Sequence, residues 1–239
     1  MCFSATASFT ASAVIGTIGI ATLAHVRQPR ALLFAATPLL FAIHQFAEGC
    51  VWLGFMGEIS QVALHRAVVV FQMYAQGILP LLMPLAVLLM EPPGRRRRVI
   101  FGLTLIGSIA FAWDMAGLLF WPSQAFVQGG SIAYRNLLTG SLFISLLYIL
   151  ATCGALLMSS YRVVRWYGLF NVIVLAIVQL VKAYTFASVW CFYAACMSIM
   201  LYWQFNRGNI DIDQPDRKVT LFGPLRLPSW LLRADPSAS

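Results

Sequence analysis

Several stretches of this chain approach or exceed 20 consecutive residues that are mostly apolar and uncharged, and residues 67–90 are one of them. A helix needs roughly 20 such residues to cross about 30 Å of hydrocarbon. Of the 239 residues, 10% are charged and 60% are hydrophobic, whereas an average soluble domain is about 25% charged. The sequence therefore predicts an integral membrane protein and excludes a water-soluble globule.

The membrane segments are predicted to be helices, because the alternating segments of about ten residues that build a lipid-facing barrel are missing. We predict an all-α, polytopic bundle of seven transmembrane helices over residues 1–206, followed by a polar tail over residues 207–239. The run from Glu91 to Arg98 is predicted to be a loop, and Pro80 and Pro84 to kink the third helix. The predicted helices cover residues 8–24, 32–54, 62–90, 99–121, 137–158, 166–184 and 188–205.

The distribution of positive charge predicts the orientation. Three alternate loops and the tail carry 13 of the 16 lysines and arginines, and the other side carries Arg66, Arg135 and Lys182. Since basic loops stay in the cytoplasm, the N-terminus is predicted to lie outside and the C-terminus inside, in a plasma or inner membrane. The same charges predict contact with anionic lipids, and their scatter over short loops excludes nucleic acid as a partner. The tail segment 221–233 either lies on the membrane surface or is disordered.

Ionisable side chains inside the predicted spans mark a candidate site, because each costs roughly 2.5–3.5 kcal/mol to insert. His44 and Glu48 are one turn apart on one helix face, and Asp114 lies at a similar predicted height in the fourth helix. An imidazole beside a carboxylate serves as an acid/base pair, a proton relay or a metal-ligand pair. We therefore interpret His44, Glu48 and Asp114 as the candidate catalytic groups.

Further polar residues fall in the outer half of the predicted bundle, whereas its inner half is nearly uniformly apolar. Together with the ionisable groups they predict one outward-facing polar pocket between the helices. The predicted pocket residues are Ser4, Gln45, His65, Gln72, Gln179, Lys182, Trp190 and Cys191.

Cys2 suggests a metal site. Removal of the initiator Met would expose an amine and a thiolate on one residue, which is a chelating pair for a soft or borderline metal. With His44 and Glu48 this predicts a site for a transition metal ion such as zinc or copper. The alternatives are structural: Glu48 with Lys182, or Asp114 with Arg66, as ion pairs that only orient helices.

Three segments carry a resemblance to a known family. The opening Met-Cys-Phe-Ser-Ala-Thr-Ala-Ser-Phe9, the stretch His44-Gln-Phe-Ala-Glu-Gly49 followed by Trp52, and Ser188-Val-Trp-Cys-Phe192 resemble a family of uncharacterised bacterial multi-pass membrane proteins. The resemblance covers most of the helical region and excludes the tail. It implies the topology and the importance of these segments, and it implies no reaction.

Three classes of function stay open at this stage. The first is a membrane protein whose outward-facing pocket binds a metal ion or a small ligand, with or without catalytic or redox chemistry. The second is a proton-coupled transporter, which requires a water path to the cytoplasm. The third is a structural subunit of a homo-oligomer or a larger membrane complex, which requires that the polar residues pair with one another.

Overall fold

The computed structural model describes the backbone of residues 4–139, 141–181 and 186–207, and their side chains except at 178–181, 186–192, 194 and 195. Within these ranges seven helical rods follow one another, and a two-stranded antiparallel hairpin stands between the fourth and the fifth. The helical architecture predicted from the sequence is confirmed, and the hairpin was not predicted. The elements are α1 Ala5–Ala24, α2 Pro29–Phe55, α3 Gln61–Met90, α4 Arg95–Phe120, β1 Gln124–Gln128, β2 Ser131–Arg135, α5 Leu142–Met158, α6 Arg162–Val181 and α7 Phe186–Asn206.

The surface of the bundle has the character of a lipid-facing surface. Four rods, α1 to α4, are long and apolar enough to cross a membrane, and α5 is a shorter apolar helix. Large apolar side chains stand on the outside, among them Phe120 and Leu142, each 76% exposed, and Phe143, 65% exposed. Exposed apolar side chains of this size and number suit contact with lipid. The membrane-type composition of the sequence is therefore matched by the arrangement of its side chains.

The third rod changes its hydrogen bonding in mid-course. Residues Met73–Ile78 form a π-helical segment directly before Pro80. Proline has no N–H and disrupts the helical ladder one turn earlier, so irregular hydrogen bonding falls where the sequence predicted a kink. The Tyr148 hydroxyl of α5 donates to the carbonyl oxygen of Ala75 in this segment at 3.1 Å.

Three predicted helix starts were wrong by four or five residues, and one is that of the sixth helix, which begins at Arg162 instead of residue 166. The arginines Arg95 to Arg98 form the first turn of α4 instead of a loop. The fifth helix begins at Leu142 instead of residue 137, because the chain between Trp121 and Ser141 contains the hairpin and its connections.

Small residues bring helices into close contact. A Cβ atom at Gly19 of α1 would lie 2.7 Å from the backbone nitrogen of Leu39 in α2, and the Ser12 hydroxyl donates to the carbonyl oxygen of Ala42 at 2.8 Å. A Cβ at Gly107 of α4 would overlap the carbonyl oxygen of Pro80. Close packing through small residues is typical of membrane bundles.

The connections sort to two ends of the bundle. At one end Glu91 contacts Ser159 and Ser160, and the side chains of His25 and Asn206 are 2.8 Å apart, so the α1–α2, α3–α4 and α5–α6 connections meet the end of α7. We call this the basic end. The hairpin and the start of α1 lie at the opposite end, which we call the hairpin end. The basic end carries Arg27, Arg30, Arg95, Arg96, Arg97, Arg98, Arg162, Arg165 and Arg207.

Candidate functional site

Three rings stack at the hairpin end and join two helices to the hairpin. His44 of α2 stacks on Phe71 of α3 with a centroid separation of 4.0 Å. Tyr134 of β2 stacks on the same Phe71 ring, also at 4.0 Å. Because a ring has two faces, Phe71 lies between the imidazole and the phenol. The His44 side chain is 4% exposed, so the sequence motif places an imidazole in the interior.

Glu48 lies one turn beyond His44 and is fully buried. The Gln45 side-chain amide donates to a carboxylate oxygen of Glu48 at 3.2 Å. The Glu48 carboxylate also acts on the hairpin: burial raises the pKa of the Tyr134 phenol well above its usual range, and the nearby Glu48 charge raises it further. His44, Gln45 and Glu48 therefore form one buried polar cluster that Tyr134 adjoins.

The hairpin is fixed over this cluster at two points. Ile132 is 1% exposed and packs with Val51 of α2 and Val68 of α3. Asn136, directly after β2, donates to the carbonyl oxygens of Gly117 at 3.0 Å and Trp121 at 3.3 Å. Asn136 thus satisfies the Trp121 carbonyl group at the C-terminus of α4 and shares the Gly117 carbonyl oxygen with the Trp121 N–H. The hairpin is a cover attached to three helices.

A second group of polar side chains lies deeper in the bundle. Tyr74 is next to His44, with ring centroids 5.1 Å apart. Beyond it, five helices enclose a cavity of about 40 Å³, which is room for about three water molecules. Its polar lining consists of Tyr148, Thr152, Tyr167, Asn171 and Tyr193.

Several buried polar atoms in this region have no hydrogen-bond partner within the described chain. They include Nδ1 of His44 and the hydroxyl oxygens of Tyr74 and Tyr134, three groups linked through the ring contacts above. Each such group costs about 1–3 kcal/mol when it is left unsatisfied, and native structures contain few of them. The others relevant here are both amide atoms of Gln72, Oε1 of Gln76, Oδ1 of Asp114 and Oδ1 of Asn171.

The basic end is closed by apolar packing and by a buried carboxylate. Met90 is fully buried there, and its carbonyl oxygen accepts a hydrogen bond from the Tyr161 hydroxyl at 2.9 Å. The Glu91 carboxylate, 1% exposed, accepts hydrogen bonds from the Ser159 and Ser160 hydroxyls and the Ser160 N–H. Further fully buried apolar residues complete this closure: Phe34, Val87, Ile100, Leu156 and Val164.

The structure places the predicted site residues in three different situations. His44, Gln45, Glu48, Gln72 and Asp114 are buried, and Gln45 donates a hydrogen bond to Glu48. Asp114 has Tyr148 within electrostatic range. His65 and Ser4 are exposed, and Ser4 caps α1 by accepting a hydrogen bond from the Ala7 N–H at 3.2 Å. Outside the described side chains lie Cys2, Gln179, Lys182, Trp190 and Cys191.

The described residues contain no group of three or more His, Cys, Asp or Glu side chains that could hold a metal ion. Within the described part of the chain the predicted ligand set is reduced to His44 and Glu48. The predicted third ligand, Cys2, lies outside that part, so the zinc or copper site stays a prediction.

Sequence reasoning missed the contribution of the hairpin. Tyr134 and Asn136 were read as part of a polar connection. A signal was present in the sequence, because the adjacent Gly129 and Gly130 separate two short runs. In the structure both glycines adopt positive φ, 58° and 80°. Two adjacent glycines are a typical two-residue hairpin turn. Residues Gln124 and Arg135 pair across the base of the hairpin.

The fold and the site define the class: a helical protein with the character of an integral membrane protein, which keeps polar side chains buried between its helices. The chain belongs to a family of unknown function, DUF6629, whose model matches residues 1–215. No curated protein and no solved structure matches it significantly. Membership confirms the predicted resemblance to an uncharacterised family, while the three segments and the bacterial origin stay predictions.

Proposed function

We propose that this protein is a seven-span membrane protein whose hairpin end contains an outward-facing polar site for a small polar ligand. The N-terminus lies outside and the C-terminus in the cytoplasm of a plasma or inner membrane. The basic end supports this orientation, because nine of the arginines lie there and basic loops stay in the cytoplasm. The hairpin then faces the outside.

One observation carries the proposal. Within the described part of the chain, Nδ1 of His44, the Tyr74 hydroxyl and the Tyr134 hydroxyl are buried without a hydrogen-bond partner, and ring contacts, through Phe71 in the case of Tyr134, connect their side chains. Three neighbouring unsatisfied groups together cost about 3–9 kcal/mol. A bound polar molecule, with or without water, would satisfy them. His44, Tyr74 and Tyr134 are therefore the recognition groups, and Glu48 with Gln45 supplies the charged side of the site.

As the ligand we favour a small organic molecule, bound directly or through water, over a metal ion. The metal alternative needs Cys2 in addition to His44 and Glu48. It is kept as an arm of the test, because an N-terminal amine and thiolate would complete such a site. The transporter alternative is weakened by the packing at the basic end, where Met90 and its neighbours among the described residues are fully buried beside Glu91.

Two measurements test the proposal. In a cysteine-free background, His44→Cys should react with a small hydrophilic thiol reagent added from outside to intact cells. His65→Cys, which is exposed at the hairpin end, is the positive control, and Val51→Cys, which is buried among apolar side chains, is the negative control. If position 44 is as unreactive as the buried Val51→Cys control, the result would contradict a water-accessible site.

The second measurement is the metal content of gently purified full-length protein by plasma mass spectrometry. Stoichiometric zinc or copper that is lost in both Cys2→Ala and His44→Ala would assign the site to a metal ion. Absence of metal together with labelling of His44→Cys supports the small-ligand site. Absence of metal together with an unreactive position 44 would refute both forms of the proposal and favour a structural subunit.

A further inference from the structure

An open groove lies at the basic end, away from the site under the hairpin. It has a volume of about 910 Å³ and runs between the last turn of α3 and the first turns of α4. Leu88 and Phe101 form its apolar side, and Arg97 and Arg98 form its charged side. The groove is therefore amphipathic across its width.

The groove lies at the depth where a membrane changes from hydrocarbon to headgroups. The α4 helix has 26 residues and is about 39 Å long, which exceeds the roughly 30 Å of a hydrocarbon core. Its four arginines occupy the first turn, and the sequence from Val99 onward carries no charged residue before Asp114. Phe101 and Leu105 are 54% and 52% exposed, so the apolar side of the groove continues onto the lipid-facing side of α4.

The positive charges of the groove are not neutralised by the nearest carboxylate. Arg97 donates to the backbone carbonyl oxygen of Glu91 at 3.0 Å, which positions the guanidinium without cancelling its charge. The Glu91 carboxylate itself is buried and is bound by Ser159 and Ser160. The first turn of α4 contains no acidic residue. An anion is the complement of this surface.

We propose that the groove binds an anionic phospholipid, with the headgroup phosphate on Arg97 and Arg98 and an acyl chain along Leu88 and Phe101. Guanidinium groups bind phosphate oxygens through paired hydrogen bonds. A juxtamembrane arginine strengthens binding to anionic lipid by about fivefold. This site is independent of the site under the hairpin and goes beyond the proposed function.

Native mass spectrometry of the full-length protein tests the proposal. Phosphatidylglycerol and phosphatidylcholine with identical dioleoyl chains are titrated onto the wild type and onto Arg97→Gln/Arg98→Gln. We expect the wild type to prefer phosphatidylglycerol, and the double variant to bind it about 25-fold more weakly. Binding of phosphatidylcholine should stay unchanged.

A matched control removes the same charge from the same end. Arg27→Gln/Arg30→Gln lies outside the groove and should keep the preference for phosphatidylglycerol. Arg98→Gln alone retains the contact between Arg97 and Glu91, so it guards against a folding defect, and we expect about a fivefold loss.

Equal losses in both double variants would show that the general positive field attracts the lipid, and this would overturn the groove. An unchanged preference in Arg97→Gln/Arg98→Gln would overturn the proposal as well, and would point to an occupant from the chain itself, such as the acidic residues Asp211, Asp213 and Asp216.

Discussion

Replacing Asn136 by alanine should detach the hairpin from α4 and open the site beneath it. The Asn136 amide nitrogen lies within hydrogen-bond distance of three acceptors: the Gly117 carbonyl oxygen at 3.0 Å, the Trp121 carbonyl oxygen at 3.3 Å and the Ser123 hydroxyl at 3.2 Å. The side-chain carbonyl oxygen accepts the Leu138 N–H at 3.1 Å. Alanine would remove all of these bonds.

The magnitude follows from the number of bonds. An amide nitrogen has two hydrogens, so the three acceptors share two donors, and the accepted bond makes three in total. At about 0.5–1.5 kcal/mol each, the loss is about 3 kcal/mol. If the hairpin opens locally, a change of this size accelerates amide exchange about a hundredfold.

Hydrogen–deuterium exchange mass spectrometry measures this effect directly. Amides of Gln124–Gln128 and Ser131–Arg135 should exchange about a hundredfold faster in Asn136→Ala, while amides of α1 keep their rates. The control Gln124→Ala removes the same functional group from an exposed position of the hairpin and should leave exchange unchanged. Unchanged exchange in Asn136→Ala, or an equal increase throughout the bundle, would refute the reasoning.

Three more predictions concern stability. Glu91→Ala should lower the free energy of unfolding by about 3–5 kcal/mol, because it removes several hydrogen bonds to a buried charge; a change below about 1 kcal/mol in detergent unfolding would contradict this. Gly107→Ala should destabilise the bundle strongly, since its Cβ would overlap the Pro80 carbonyl oxygen. The control Gly102→Ala meets open space and should be neutral or stabilising. Equal melting temperatures of the two variants would show that α3 and α4 can separate. The pKa of Tyr134 is raised in the folded state, so its contribution to stability is complete below about pH 10 and declines above it, as the unfolded phenol ionises. Tyr134→Phe should abolish this alkaline loss, and an identical pH profile would contradict the burial of the phenol.

The sequence was sufficient for the helices, because each apolar run is bounded by prolines, glycines or charges that a buried helix cannot carry. It also brought His44 and Glu48 together, since a spacing of four residues on a helix fixes their relation without any tertiary information. The grouping of the basic residues was predictable for the same reason, as an even number of helices separates loops at the same end.

The remainder depends on contacts between distant segments. His65 was predicted to line the pocket, and in the structure it is exposed; helix periodicity gives a face and does not say which neighbour that face meets. The role of Glu91 was missed because its partners, Ser159 and Ser160, lie 68 and 69 residues away. The stack on Phe71 likewise joins α2, α3 and β2, and only the folded chain reveals it.

The closure at the basic end has a thermodynamic consequence. If the proposed site and orientation hold, a molecule beside His44 would exchange with one compartment alone, because the Glu91 contacts and the packing around Met90 would separate it from the other. Occupancy then depends on the concentration in that compartment, and a gradient across the bilayer performs no work on the bound molecule. Its residence time would be set by how often the hairpin opens. The basic end would then act as a fixed wall, and release would occur at the hairpin end alone.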